Sequence, residues 1–216
     1  MMLTPDELKA ALQRYPAKKR SLNTKHLASV ALIIRVHEDR GLEILMIERS
    51  HREGDPWSGH MAFPGGKKEK NDYDSADTAT REVFEEIGLH LRPHQQLGRL
   101  SDLITRHHDN KSLMKITPWV YFLEEHHSYR FTLNHEAQSI IWLPLNHLIP
   151  EHRKTMQWPL LKRWGLKLNV SLPHYLFENR KIWGLSLMIL DELNHLMRCH
   201  GYQRLKFSNK IKRLFS

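Results

Sequence analysis

The nine residues Arg81–Leu89, REVFEEIGL, put three carboxylates where a helix would make them neighbours. Glu82, Glu85 and Glu86 stand at i, i+3 and i+4, and like charges at that spacing cost roughly 0.2–0.5 kcal/mol per pair. Arg81 leaves such a helix about 100° round from Glu82 and cannot neutralise all three. Val83 and Ile87, with Ala76 and Ala79 behind them, form the apolar stripe that would turn the helix toward a core. The acidic patch has two open readings, a solvated face or a seat for a divalent cation. Magnesium takes oxygen ligands, commonly one or two carboxylates completed by substrate phosphates.

The elements around this helix must position it. Upstream runs a long Gly- and Pro-rich loop, SHREGDPWSGHMAFPGGKKEKNDYD, and loops of that length inside compact domains are usually functional. Its FPGG, Phe63–Gly66, carries two glycines that permit tight turns and close approach of a phosphate or metal. Asp74 or Ser75 caps the glutamate helix and Gly88 ends it. TPDELKAALQRY reads as a short helix with Thr4 as N-cap and Pro5 in its first turn. KHLASVALIIRVHE and LEILMIER read as strands joined at Asp39–Gly41, a hairpin. Further strands are expected near QQLGRLSDLITR, MKITPWVYFLEE and SIIWLPL. A last helix is expected in KIWGLSLMILDELNHLMRC, with Ile182, Leu185, Ile189, Leu193 and Leu196 at helical spacing. Strands on either side of a central helix, with a helix at the end, imply a mixed sheet with helices on its faces.

The bulk composition narrows the partners. A chain of 216 residues suggests one domain with elaborations, and a net charge of +9 favours anionic ligands without choosing among phosphates, nucleic acid and an anionic membrane. The one cysteine, Cys199, allows no internal disulfide, which fits a reducing cytosol, so a cytoplasmic location is expected. No secretory signal is read at the start, and LASVALII is far short of the roughly 20 apolar residues that span a bilayer. The 16 histidines include the pairs in RHHD and EEHHS, but neither has the spacing of a zinc site.

The run Gly66, five residues, Asp72, eight residues, then Arg-Glu-Val-Phe-Glu-Glu-Ile-Gly-Leu resembles the Nudix box, in which a Glu follows the first Gly by six places and precedes the Arg-Glu by seven residues. Asp for Glu, with one residue more, is similar to the coenzyme A pyrophosphatase branch of that family. The branch's upstream signature is partly kept: Gly59 and FPGG match, Arg49 and Ser50 sit one place early, Ile47 holds the threonine position and Asp55 the second arginine. WLPLNHLIP and LPHYLFENRKIWGLSLMIL also look like later segments of that branch, so the resemblance covers most of residues 27–196.

The resemblance implies an α/β (α+β) fold, a Nudix-type α/β/α sandwich. It would comprise a domain at 21–200, an N-terminal helical extension at 1–20 and a basic tail at 201–216. It implies hydrolysis of a pyrophosphate bond in a nucleoside diphosphate linked to another group, with Mg2+ or Mn2+ as cofactor, and with coenzyme A, nucleoside triphosphates, ADP-ribose or dinucleotides as substrate classes. A noncatalytic nucleotide- or RNA-binding module is the alternative from another class. The ligand set carried across is Glu82 and Glu86, then Glu85, directly, through water or as base, with the Gly66 carbonyl. Arg81 would orient a glutamate or the loop, Asp72 would brace the loop, and Glu136 is a second base candidate or a structural ion pair. Arg49, Arg52 and Lys67 flank the glycines as candidate phosphate partners, and Trp57 as a base stack or loop anchor. A small nucleotide is the expected partner. No stable nucleic-acid partner and no transmembrane segment are expected, and a homodimer is compatible with the reading. The tail GYQRLKFSNKIKRLFS interleaves basic and apolar residues and is expected to be dispensable for chemistry.

Overall fold

The computed structural model describes residues 5–51, 53, 58–106, 112–124, 129–160 and 168–199. Arg52, Asp55, Trp57, Thr4 and the basic tail lie outside the described residues. In chain order the elements are α1 (Pro5–Arg14), β1 (Leu27–His37), β2 (Gly41–Arg49), β3 (Met61–Ala62), β4 (Gly65–Lys67), α2 (Ser75–Ile87), β5 (Gln96–Arg99), β6 (Leu103–Arg106), β7 (Leu113–Leu123), β8 (Ala137–Pro144), β9 (Arg153–Leu160), β10 (Leu168–Phe177), β11 (Arg180–Trp183) and α3 (Gly184–Cys199).

β1 is the axis of a mixed sheet. It pairs parallel with β7 and antiparallel with β2 and β4, while β2 carries β3 and β8, and β7 carries β5 and β6. Side chains alternate along a strand, and here the alternation splits an apolar run into two cores. Leu32, Ile34, Ile44 and Met46 face α1 and α3 through Leu8, Leu12, Leu190, Leu193 and Leu196. Ala31, Ile33, Leu45 and Ile47 face α2 through Ala79, Val83 and Ile87. Near-continuous apolarity in β1 and β2 is what a strand buried on both faces requires. The expected α/β/α sandwich with a mixed sheet is the fold observed.

Two expectations are corrected. Ile182 belongs to β11, not to the last helix, which begins at Gly184, where φ of 64° breaks the strand. No strand is expected between SIIWLPL and the last helix, yet β9, β10 and β11 lie there and form a second, antiparallel sheet. Pro159 and Pro173 lie inside its strands, and proline inside a run argues locally against a strand.

α1 shares the larger core, with Leu8 fully buried and Ala11 and Leu12 beside it. The chain after it is pinned by a buried carboxylate. Asp102 accepts from the Arg20 N–H at 2.8 Å and the Thr117 hydroxyl at 2.9 Å, and its own N–H donates to the Lys18 carbonyl at 2.9 Å. The Tyr15 hydroxyl donates to Glu192 of α3 at 2.8 Å. Leu8→Ala should therefore cost about 2–5 kcal/mol of stability in urea unfolding, as core truncations do. A loss under about 0.5 kcal/mol would show that α1 is a loosely attached arm.

Candidate active site

α2 has the boundaries that its capping residues dictate. The Asp74 carboxylate accepts from the N–H groups of Ala76 and Asp77 at 2.6 and 3.0 Å, and Gly88 closes the helix in the left-handed region at φ 70°. With Ala79, Val83 and Ile87 buried against the sheet, the acidic face turns toward the glycine loop.

Arg81 organises that face. Its Nε and Nη2 donate to Asp72 at 2.9 and 3.1 Å, Nη2 also donates to the Lys67 carbonyl at 2.8 Å, and Nη1 reaches Glu82 at 3.1 Å and Glu85 at 2.9 Å. Asp72 is fastened further by the Glu69 N–H at 2.8 Å and the Thr78 hydroxyl at 2.9 Å. These bonds, with Arg81 foremost, hold the Asp72 carboxyl down at about 2. Asp72 thus ties the loop to α2, and Arg81 joins that loop to Glu82 and Glu85. One guanidinium does reach two of the three glutamates, and Glu86 is the one it leaves.

Glu86 is only 2% exposed. Its carboxylate accepts the Gly65 N–H at 2.9 Å, yet burial, with the charges of Glu82 and Glu136 nearby, pushes it up to about 8. Burial raises Glu82 as well, against the pull of Arg81. The glycines let the backbone lie on these groups. A Cβ on Gly66 would sit 2.4 Å from a Glu82 oxygen, and one on Gly65 2.3 Å from the Ser29 carbonyl. Glu85 is half exposed at the rim.

Glu136 arrives from the opposite side. The Asn134 N–H donates to the Glu86 carbonyl at 3.0 Å, the Asn134 side chain accepts the Glu136 N–H at 2.7 Å, and the Glu136 carbonyl accepts the Ser50 N–H at 2.8 Å. Arg49 follows Glu48 on β2 and lowers the Glu86 carboxyl through its charge. The structure thus brings together Gly66, Glu82, Glu85, Glu86, Arg81, Arg49 and Glu136. Lys67 enters through its carbonyl, while its residue surface is exposed. Asn134 was not foreseen. The signal for it is Asn-His-Glu before a strand, an Asx-turn pattern.

Among the described residues, no three His, Cys, Asp or Glu side chains already converge as a closed metal cluster. The donor chemistry still fits a hard divalent cation. Glu82 and Glu86 offer crowded carboxylate oxygens against a glycine cradle that any Cβ would fill, and Arg81 holds Glu85 beside them.

The fold and this helix–loop unit define a class. A NUDIX domain model matches residues 25–163, more than half of the chain, and the chain belongs to that family. It is similar to Nudix hydrolase 3 of Caenorhabditis elegans, 29% identical over 166 residues, covering 72% of this chain and 65% of that protein. It is also similar to a peroxisomal coenzyme A diphosphatase of Mus musculus, 38% identical over 92 residues, covering 42% of this chain and 36% of that one. The crystal structure of a MutT/nudix family protein from Enterococcus faecalis shares the fold, with a TM-score of 0.53 at 16% identity over 89% of this chain and 74% of that one. The chain spans from 36% to 65% of the length of the curated relatives it matches first.

The raised Glu86 carboxyl makes a prediction for metal-free protein. A carboxyl that is harder to ionise folded than unfolded contributes stability below its unfolded value of 4.5, and that stability is lost as pH rises toward about 8. Glu86→Gln keeps an acceptor for the Gly65 N–H and carries no charge. It should match wild type in melting temperature near pH 5 and exceed it above pH 8. Equal curves at both ends would show that Glu86 ionises freely in place.

Proposed function

We propose that the chain is a divalent-metal-dependent hydrolase of a pyrophosphate bond in a nucleoside diphosphate linked to another group. What supports the reading most is the pairing of half-buried Glu82 and buried Glu86 with the Gly65–Gly66 backbone, opposite Glu136 and Arg49. Intact box glutamates favour an enzyme over a binding module.

Glu82 and Glu86 would hold Mg2+ or Mn2+, with Glu85 joining directly or through water and the Gly66 carbonyl as a further donor. The bound cation would polarise phosphate oxygens and acidify the attacking water. Glu136, with Glu85 as the alternative, accepts the proton that this water gives up. Arg49 pairs with phosphate oxygens, with Lys67 and, by its place in the sequence, Arg52 as further phosphate candidates. Arg81 keeps Glu82, Glu85 and the loop in register and does not touch substrate.

For substrate, coenzyme A and its derivatives come first. The additional residue between Asp72 and Arg81 supports this, as does similarity to a protein named a coenzyme A diphosphatase. The altered positions Ile47 and Asp55 support the second reading, in which ADP-ribose, a nucleoside triphosphate or a dinucleotide is preferred. The described residues include no helix long and apolar enough to cross a membrane. The single cysteine supports work in a reducing compartment such as the cytosol.

A substrate panel with Mg2+ or Mn2+ tests the reading. Coenzyme A should yield 3′,5′-ADP and 4′-phosphopantetheine, and Glu86→Gln should lower turnover by at least about a hundredfold with the fold kept. Faster turnover of ADP-ribose or a triphosphate would reject coenzyme A but leave the class. A Glu86→Gln enzyme within about threefold of wild type would reject the metal assignment.

A further inference from the structure

Residues 168–199 lie beyond the stretch matched by the family model, yet they grip the strands that form the site. Three contacts reach the β2–β3 edge. The Arg180 Nε donates to Glu48 at 3.0 Å, the Trp183 ring meets His60 edge-on at 4.9 Å between centroids, and the Ser186 hydroxyl donates to the Met61 carbonyl at 2.9 Å. Met61 leads into FPGG.

Glu48 sits at an irregularity with a consequence for the site. β2 and β8 pair Glu48 with Ser139, but the next pair is Arg49 with Ala137, so Gln138 is an extra residue on β8. Such a bulge re-aims the side chains that follow it. Without it, Ser50 would face Ala137. With it, the Ser50 N–H meets the Glu136 carbonyl at 2.8 Å, and Glu136 is delivered beside the glutamates. Arg49 lies on the α2 side with Ala137, while Glu48 and Ser139 lie on the α3 side.

Glu48 ties the bulge down. One of its carboxylate oxygens accepts both the Ser139 hydroxyl at 2.9 Å and Arg180 at 3.0 Å. Burial opposes its charged form, and the bonds from Arg180 and Ser139 overcome this, holding the carboxyl below its usual range. Arg180 is placed by a two-residue turn, Glu178–Asn179, with φ of 46° and 61°, between partners Phe177 and Arg180. It also donates to the Glu178 carbonyl at 3.2 Å. A tight hairpin thus presents a fixed guanidinium to a carboxylate 132 residues away in sequence.

We propose that Arg180 is a positioning residue of the hydrolytic site, holding through Glu48 the bulged end of β2 and β8 that sets Arg49 and Glu136 against α2. This rests on the hydrolase reading and on the roles given there to Arg49 and Glu136. Arg180 contacts neither, so its effect is on the placement of groups that act, and misplacement by about an ångström can lower a rate a hundredfold.

The test is a double-mutant cycle on Arg180 and Glu48 with the best substrate of the panel, reading kcat, KM and melting temperature. Arg180→Gln should lower kcat at least about tenfold while the protein stays folded, and Glu48→Gln should do the same. The double variant should be no more than about threefold worse than the weaker single, because both act through one contact. Arg180→Lys should recover part of kcat, since it keeps the charge without the planar fork. A merely structural pair would reduce folded protein and leave kcat per folded molecule unchanged. That result overturns the proposal, as do losses that multiply in the double variant. If Arg180→Gln does not fold, Glu48→Gln and Arg180→Lys carry the test, and full kcat in both overturns it. An active wild type with an inactive Glu86→Gln and a fully active Arg180→Gln would reject this inference alone. A wild type inactive on the whole panel would reject the hydrolase reading and this inference with it.

Discussion

The guanidinium of Arg81 is the interaction on which the site depends. Four carboxylates crowd one side of α2, Asp72 from the loop before it and Glu82, Glu85 and Glu86 from the helix itself, and a planar group with five donors is the side chain that can serve several of them and a carbonyl together. Arg81 divides its N–H groups among Asp72, Glu82, Glu85 and Lys67, fastening the loop and two glutamates in one act. What it leaves matters as much. Glu86 is buried with, among the described residues, a backbone N–H and the charge of Arg49 to help it, and its carboxyl is therefore hard to ionise. A lysine at position 81 would supply one point charge and could not hold this geometry.

Rigid packing makes that arrangement stand still. Ala79, Val83 and Ile87 seat α2 on the sheet, so the acidic face has no freedom to rotate toward water. β4 pairs Gly65 and Gly66 with Val30 and Ser29 of β1, which fixes the glycine backbone against Glu82 and Glu86. Opposite, Asn134 ties Glu136 to the end of α2, and Ser50 ties it to the end of β2. Carboxylates that would repel one another in a flexible chain are held together because the cost is met by the burial of the two cores.

Features written in neighbouring residues were legible in the sequence. Asp74 and Gly88 mark the ends of α2 because capping is local chemistry, and the glutamate face follows from helical spacing. The uninterrupted apolarity of β1 and β2 marked them as strands, while their division between two cores emerged only from the structure. Features that depend on partners far along the chain were not legible. Proline at 159 and 173 hid two strands whose partners are each other. Ile182 fitted the spacing of α3, yet Gly184 stops the helix short of it. The bulge at Gln138 and the Glu48–Arg180 pair have no local signal, because register and long-range ion pairs are set only when strands meet. Arg81 falls between the two cases: its helix neighbours were evident, but its reach back to Asp72 needed the loop's path.

We propose that Glu82 and Glu86 form a cation seat in which Glu86, its carboxyl pushed up to about 8 by burial, gives up its proton when a metal binds. Calorimetric titration of the protein with Mn2+ at pH 7, in buffers of different ionisation enthalpy, measures this directly, because metal binding to a protonated ligand releases the proton. With the Glu86 carboxyl at about 8, wild type should bind Mn2+ and release close to one proton, and Glu86→Gln should bind weakly with none released. Absence of Mn2+ binding, or tight binding without proton release in wild type, would contradict the claim.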